Sequence, residues 1–178
     1  MEQRCVDDAR LDALITRYSD MVYRLAVLRC HTKEDAEDVY QEVFIKLVRY
    51  AAKLEDEEHV KAWLIRVTIN QCNSLYTSSW KQRNRSLDEL HEQGAEPAAE
   101  DEGLTAISED DGILDAVRAL KPAYRDVIYL FYYEDMSIRS ISAALHTTET
   151  NVKVRLNRAR NKLKEILEKK GAGPYGRL

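Results

Sequence analysis

The run Ser137-Ile-Arg-Ser-Ile-Ser-Ala-Ala-Leu-His-Thr-Thr-Glu-Thr-Asn-Val-Lys-Val-Arg-Leu-Asn-Arg-Ala-Arg160 decides the reading of this chain. Ser137 suits a helix N-cap, and Ile138, Ile141 and Leu145 follow at helical spacing. His146-Thr147 then interrupts the period, and Thr148 suits a second cap. Beyond it Val152, Leu156, Ala159, Leu163 and Ile166 recur on one face of a longer, basic helix. A short helix, a tight turn and a longer helix make a helix-turn-helix.

The face opposite that apolar stripe follows from a 100° turn per residue, and it carries Thr150, Val154, Asn157, Arg158 and Asn161. Such a face fits the major groove of DNA. Arg158 suits a bidentate contact to guanine, Asn157 an adenine edge and Val154 a thymine methyl group, each worth roughly 1–3 kcal/mol of discrimination. Lys153, Arg155, Arg160 and Lys162 lie on the flanks, where long cationic side chains reach phosphates.

Working outward, Ile113 to Leu120 and Ala123 to Tyr133 read as two helices parted by Lys121-Pro122, because proline suits a first helical turn. Residues 86–112 contain Gly94, Pro97 and Gly103, show no sustained period, and read as a linker. Before the linker, the apolar spacing from Leu11 to Leu28 predicts an amphipathic helix. A second is predicted from a Thr32 cap to about Tyr50, with Glu34, Asp35 and Glu37 favourably placed at the positive end of its dipole. Ala51 to Glu58 reads as a loop, and Val60, Trp63, Leu64 and Val67 start a third helix ending near Trp80. The expected fold is all-α: a helical domain over residues 1–85, the linker, and a second small helical domain over 113–178.

Charge divides the same way. The net charge is −4 over 178 residues, but residues 1–85 are neutral, 86–112 carry ten acids and no Lys or Arg, and 113–178 are +6. A basic C-terminal third within a mildly acidic chain is the electrostatic footprint of a DNA-binding module. No stretch has the pattern of a signal peptide or a membrane span, so the expected location is the cytoplasm. Cys5, Cys30 and Cys72 lack the spacing of a metal site or a disulfide framework, and Cys30 and Cys72 read as small apolar helix residues. With no Gly-rich phosphate loop, ligand cluster or activated nucleophile in the motifs, neither catalysis nor a metal or other cofactor is expected.

The Ser137–Arg160 run resembles region 4 of the sigma-70 family, and Leu120, Pro122 and Arg125 resemble the lead-in to that region. Asp35-Ala-Glu-Asp-Val-Tyr-Gln-Glu-Val-Phe-Ile-Lys-Leu47 is similar to region 2.2, and Lys61-Ala-Trp-Leu-Ile-Arg-Val-Thr-Ile-Asn70 to regions 2.3 and 2.4. The chain is thereby identified as a sigma factor of the two-domain, extracytoplasmic-function type, a non-enzymatic subunit that directs RNA polymerase to promoters. The implied partners are the β and β′ subunits of core polymerase, promoter DNA and an anti-sigma factor.

The resemblance also assigns residues. The second helix buries Ala36, Val39, Tyr40, Val43, Phe44 and Leu47 on this reading, leaving Asp38, Gln41, Glu42 and Ile45 on its outer face as the implied polymerase contacts. Lys53, Leu54, Arg66 and Asn70 are the implied minus-10 contacts, Asn70 for a base edge and Arg66 for phosphate. Trp80 and Tyr76 offer rings on which an exposed base can stack, worth about 1–3 kcal/mol, although packing is the commoner role for such rings. Trp63 is assigned to the core. Thr150, Asn151, Lys153, Val154, Arg155, Asn157 and Arg158 are the implied minus-35 contacts.

Three departures from the family pattern stand out. His146 replaces the usual glycine of the turn and must accept an unfavourable backbone geometry or reshape the turn. Thr147 replaces an aliphatic residue, and the arginine run closing the first domain is thinned to Trp80-Lys-Gln-Arg-Asn-Arg85. The acidic linker suits either a basic channel of the polymerase or a self-repelling tether. The competing readings are a stand-alone helix-turn-helix regulator, which needs no polymerase, and a sigma mimic, against which the intact basic helix argues.

Overall fold

A computed structural model describes residues 8–54, 56–85 and 111–169, with the side chains of 78–85 and 111–112 outside that description. Three helices come first: α1 (Asp8–Arg29), α2 (Lys33–Tyr50) and, after a 3-10 turn at Ala51–Lys53, α3 (Glu57–Arg85). Four follow: α4 (Asp111–Arg118), α5 (Pro122–Tyr132), α6 (Ile138–Ala144) and α7 (Glu149–Lys169). The chain is all-α, and the described residues contain no strand. None of these helices is long and apolar enough to cross a membrane.

Local chemistry sets the helix starts. Thr32 Oγ1 accepts from the Asp35 N–H at 3.1 Å, and Ser137 Oγ from the Ser140 N–H at 3.0 Å, so both caps act as the sequence predicts. Pro122 takes the first turn of α5. The expected loop before α3 is tighter than predicted: Asp56 Oδ1 accepts from the His59 N–H at 2.7 Å, starting α3 at Glu57 rather than at Val60. Asp56 followed by Glu57 and Glu58 was a readable N-terminal signature. The expected linker, 86–112, lies outside the described residues except at Asp111 and Gly112, which begin α4.

The first three helices bury Val22, Leu25, Val39, Val43, Leu47 and Leu64 between them. The last four close on Leu120, Leu130, Ile141, Val152, Leu156 and Leu163, with Leu167 rather than Ile166 ending the inner stripe of α7. Trp63 is only partly buried, against the Tyr50 ring, so the core assignment made for it is corrected to the margin of the bundle.

The two groups of helices do not stand apart. Arg29 on α1 pairs with Asp126 on α5 at 2.7 Å, and Arg125 Nη1 donates to the Leu28 carbonyl at 2.8 Å. Lys61 on α3 pairs with Glu134 at 3.1 Å, and Ser140 Oγ on α6 donates to Glu58 Oε1 at 3.2 Å. Tyr129 Oη donates to Glu134 Oε1 at 2.8 Å and lies 3.3 Å from the Met21 carbonyl. Burial and the Glu134 carboxylate push the Tyr129 phenol well above its ordinary pKa.

Candidate nucleic-acid interface

The turn between α6 and α7 is held by three residues. His146 adopts φ = 49°, the left-handed conformation that favours glycine, as its substitution for glycine in the turn required. Thr148 Oγ1 caps α7 by accepting from the Asn151 N–H at 3.1 Å, and Thr147 Oγ1 accepts from Asn151 Nδ2 at 2.8 Å. Thr147 thus braces the turn by a hydrogen bond where an aliphatic residue would brace it by packing. The Asn151 side chain is spent on that brace, so reaching a base edge from this position first means giving up the Thr147 bond.

On α7 the period is as read. Val152, Leu156, Ala159 and Leu163 are buried, while Thr150, Asn157, Arg158 and Asn161 are exposed and Val154 is 40% exposed. Lys153 is exposed, but Arg155 is half-buried and its charge acts on Asp126. Arg160 is turned from the groove-facing side: its Nε donates to Tyr132 Oη at 2.7 Å, and its guanidinium lies 5.6 Å from the Phe131 and Tyr132 ring centres. Lys162 pairs with Glu165 at 3.0 Å. Over residues 150–161 the outward face therefore presents Thr150, Val154, Asn157, Arg158 and Asn161, with Val152, Leu156 and Ala159 buried on the other side.

A second surface lies on α2. Asp38, Gln41 and Glu42 are exposed and Ile45 is 45% exposed, with Val48 one turn further at 53%. Tyr50, 46% exposed, lies on another side of α2, against the Trp63 ring and with Lys53 Nζ 5.3 Å from its ring centre. Val48 was not singled out in the sequence. The i, i+3 pairing of Ile45 with Val48 on the solvent face was the available signal.

The minus-10 assignments fall in different environments. Lys53 is exposed, but Leu54 is 3% exposed, packed in the core with its carbonyl accepting from Arg10 Nη2 at 2.6 Å. Leu54 cannot meet DNA from there, because the turn that exposes Lys53 points the next side chain inward; that assignment is corrected to packing. Arg66 is half-buried, and its Nε is buried without a hydrogen bond. Asn70 is exposed and lines a shallow groove along α3 with Asn73, Ser74 and Thr77, a polar strip the sequence reading did not single out. The Trp80 side chain lies outside the described residues. Tyr76 packs: its hydroxyl donates to the Arg29 carbonyl, its ring meets His31 edge-on at 5.0 Å, and burial pushes its pKa up to about 12.

Comparison with known proteins bears on both surfaces. The family model described as sigma-70 region 2 matches residues 14–82, and that described as sigma-70, region 4 matches residues 110–163. The ECF RNA polymerase sigma factor SigE of Mycolicibacterium smegmatis is 30% identical over 163 residues, a match spanning 89% of this chain and 62% of that protein. An RNA polymerase sigma-E factor of Streptomyces avermitilis is 30% identical over 134 residues, 75% of this chain and 72% of the relative. In fold, the chain is similar to the sigma factor RpoE solved in complex with the anti-sigma factor NepR from Bartonella quintana, with a TM-score of 0.66 and 21% identity over 92% of this chain and 98% of that one. Two family models in the right order, each over one group of helices, and a sequence relative covered over most of its length make this chain a member of the sigma-70 family of RNA polymerase sigma factors, of the extracytoplasmic-function type.

Proposed function

We propose that the chain binds core RNA polymerase and directs it to promoters with paired minus-10 and minus-35 elements. The observation that carries this reading is the outward face of α7, a capped helix with Val152, Leu156, Ala159 and Leu163 buried and Thr150, Val154, Asn157 and Arg158 free to meet base edges. That face reads the minus-35 element, with Lys153 on phosphate. Asp38, Gln41, Glu42 and Ile45 dock core polymerase at its β and β′ subunits, and Val48 extends the apolar part of that contact. Lys53, Arg66 and Asn70 serve the minus-10 element, where a sigma factor with no energy source of its own favours strand opening by binding the opened strands more tightly than the duplex.

Reading both elements requires the two groups of helices to separate. Elements named minus-10 and minus-35 lie about 25 base pairs apart, roughly 85 Å of duplex. Residues 86–110, in the acidic stretch between them, reach that distance only near full extension, at up to about 3.6 Å per residue. The solved neighbour is a sigma factor held by an anti-sigma factor, and on this reading an anti-sigma factor binds this chain too, in the closed arrangement. The test is transcription in vitro with core polymerase and the purified chain, mapping 5′ ends. Discrete start sites that vanish when the chain is left out are expected. Failure to bind core polymerase in a pull-down would end the proposal.

A further inference from the structure

In the sequence Cys30 and Cys72 are two unrelated apolar positions; the fold brings their sulfurs to 3.8 Å. Cys30 follows the last residue of α1 and is partly exposed, whereas Cys72 lies mid-way along α3 and is fully buried. Each thiol is the other's hydrogen-bond partner. That bond is the main force lowering the Cys72 pKa and raising that of Cys30, and the Arg29 guanidinium adds to the stabilisation of a Cys72 thiolate. Cys72 is thus the sulfur on which Arg29 favours negative charge, and Cys30 the one that solvent reaches. Two thiols in contact, one partly exposed and the other beside a cation, are the setting of oxidation-prone cysteines.

We infer that Cys30 and Cys72 form a dithiol that a hydroperoxide oxidises to a disulfide, stapling the end of α1 to the middle of α3. The thiolate attacks one peroxide oxygen as the O–O bond breaks, giving a sulfenic acid and hydroxide, which takes up the proton the thiol released. The second sulfur then attacks the sulfenyl sulfur; the S–S bond forms, the S–O bond breaks, and hydroxide leaves with the remaining thiol proton as water. Two thiols and one hydrogen peroxide become one disulfide and two waters, the sulfurs losing the two electrons the peroxide gains. Closing from 3.8 Å to a bond of about 2.05 Å moves the two sulfurs together by less than 2 Å. The bridge encloses all of α2 and fixes the end of α1, where Arg29 reaches across to Asp126.

The test uses the full chain with Cys5→Ser, which removes the third thiol, treated with a small excess of hydrogen peroxide, alkylated and digested. Expected are a loss of two hydrogen atoms, Cys30 and Cys72 peptides joined and closed to alkylation, and reversal by dithiothreitol. The oxidised chain is also expected to melt higher by roughly 5–15 °C, a gain absent from Cys72→Ala; Cys30→Ala supplies the same control if Cys72→Ala is too unstable to compare. Full alkylation of both thiols after peroxide, conversion of Cys30 to a sulfinic acid without a link, or a bridge that leaves the melting temperature unchanged would overturn the inference.

Discussion

One guanidinium nitrogen of Arg29 on α1 stands 2.7 Å from both carboxylate oxygens of Asp126 on α5, and both side chains are buried, at 6% and 9% exposure. Arg29 Nη2 also donates to Asn73 Oδ1 at 2.5 Å, tying α1 to α3 at the same point. Burial pushes the Asp126 carboxyl above the ordinary carboxylate range, against the pull of Arg29 and Arg125. Burial works to lower the Arg29 pKa as well, and Asp126 more than offsets it. A buried pair of this kind favours one arrangement: each partner is costly to bury alone, so the two groups of helices gain by meeting where Arg29 and Asp126 pair, even though Arg29 Nε is left without a hydrogen bond.

Removing one partner leaves the other charge stranded. Asp126→Ala is expected to destabilise the chain by roughly 3–5 kcal/mol, and Arg29→Met with Asp126→Leu together to recover most of that loss, both read by urea unfolding. Losses that simply add would show that the pair acts as two separate residues. Small-angle scattering of Asp126→Ala should give a larger radius of gyration than the parent, because the pair bridges the two groups.

The turn carries a local strain that a single change relieves. His146 pays for φ = 49° with a Cβ that glycine lacks, so His146→Gly is expected to raise stability by roughly 0.5–1 kcal/mol. His146→Val, whose branched side chain resists that conformation more strongly, should lower the melting temperature. A lower melting temperature for the glycine variant would mean that the imidazole contributes something the backbone geometry does not account for.

Arg158 and Lys153 are both exposed on α7 and are expected to fail in different ways. Arg158→Ala should relax the preference at one minus-35 position by roughly 1–3 kcal/mol. Lys153→Ala should weaken every promoter alike and reduce the salt slope of binding by about one phosphate contact. Measuring polymerase binding to a set of single-base promoter variants at several salt concentrations separates the two, and identical profiles for both variants would contradict the assignment.

Ile45 and Val48 give a surface test that spares the fold, since both are about half exposed. Ile45→Asp and Val48→Asp are expected to weaken association with core polymerase about tenfold each, with unchanged helical circular dichroism. Unaltered affinity in a titration against labelled core enzyme would remove this strip from the interface.

Lys53 and Leu54 are neighbours with opposite expectations. Leu54→Ala should cost roughly 2–4 kcal/mol of stability through the cavity it leaves. Lys53→Ala should leave unfolding unchanged and reduce the fraction of promoter opened, followed by permanganate reactivity of unpaired thymines. Equal stability of the two variants would contradict the burial that separates them.

Much of this chain was legible without coordinates. The caps at Thr32, Ser137 and Thr148, the apolar stripes of α2 and α7 and the exposed Asp38 and Arg158 all follow from residues within a few positions of one another, because helix periodicity and capping are local, while the turn at His146 stood out by the family resemblance. The errors came at places where local pattern gives no answer. Leu54 was assigned to DNA by its position in the family resemblance, and a one-residue turn of the backbone sends it into the core. The bond between Asn151 and Thr147 is likewise set by the turn between the helices, not by the period of either one.

What the sequence by itself determined is the set of helices and their inner and outer faces, since each is written in short-range spacing, and the family, through the resemblance of its two motifs. What only the tertiary structure decided is which distant residues meet. Arg29 and Asp126 are ninety-seven positions apart, and Cys30 and Cys72 forty-two. No periodicity within either helix encodes such a partner; it is fixed by how α1 packs on α3 and α5, where burying a charge is tolerable only against a group that can satisfy it.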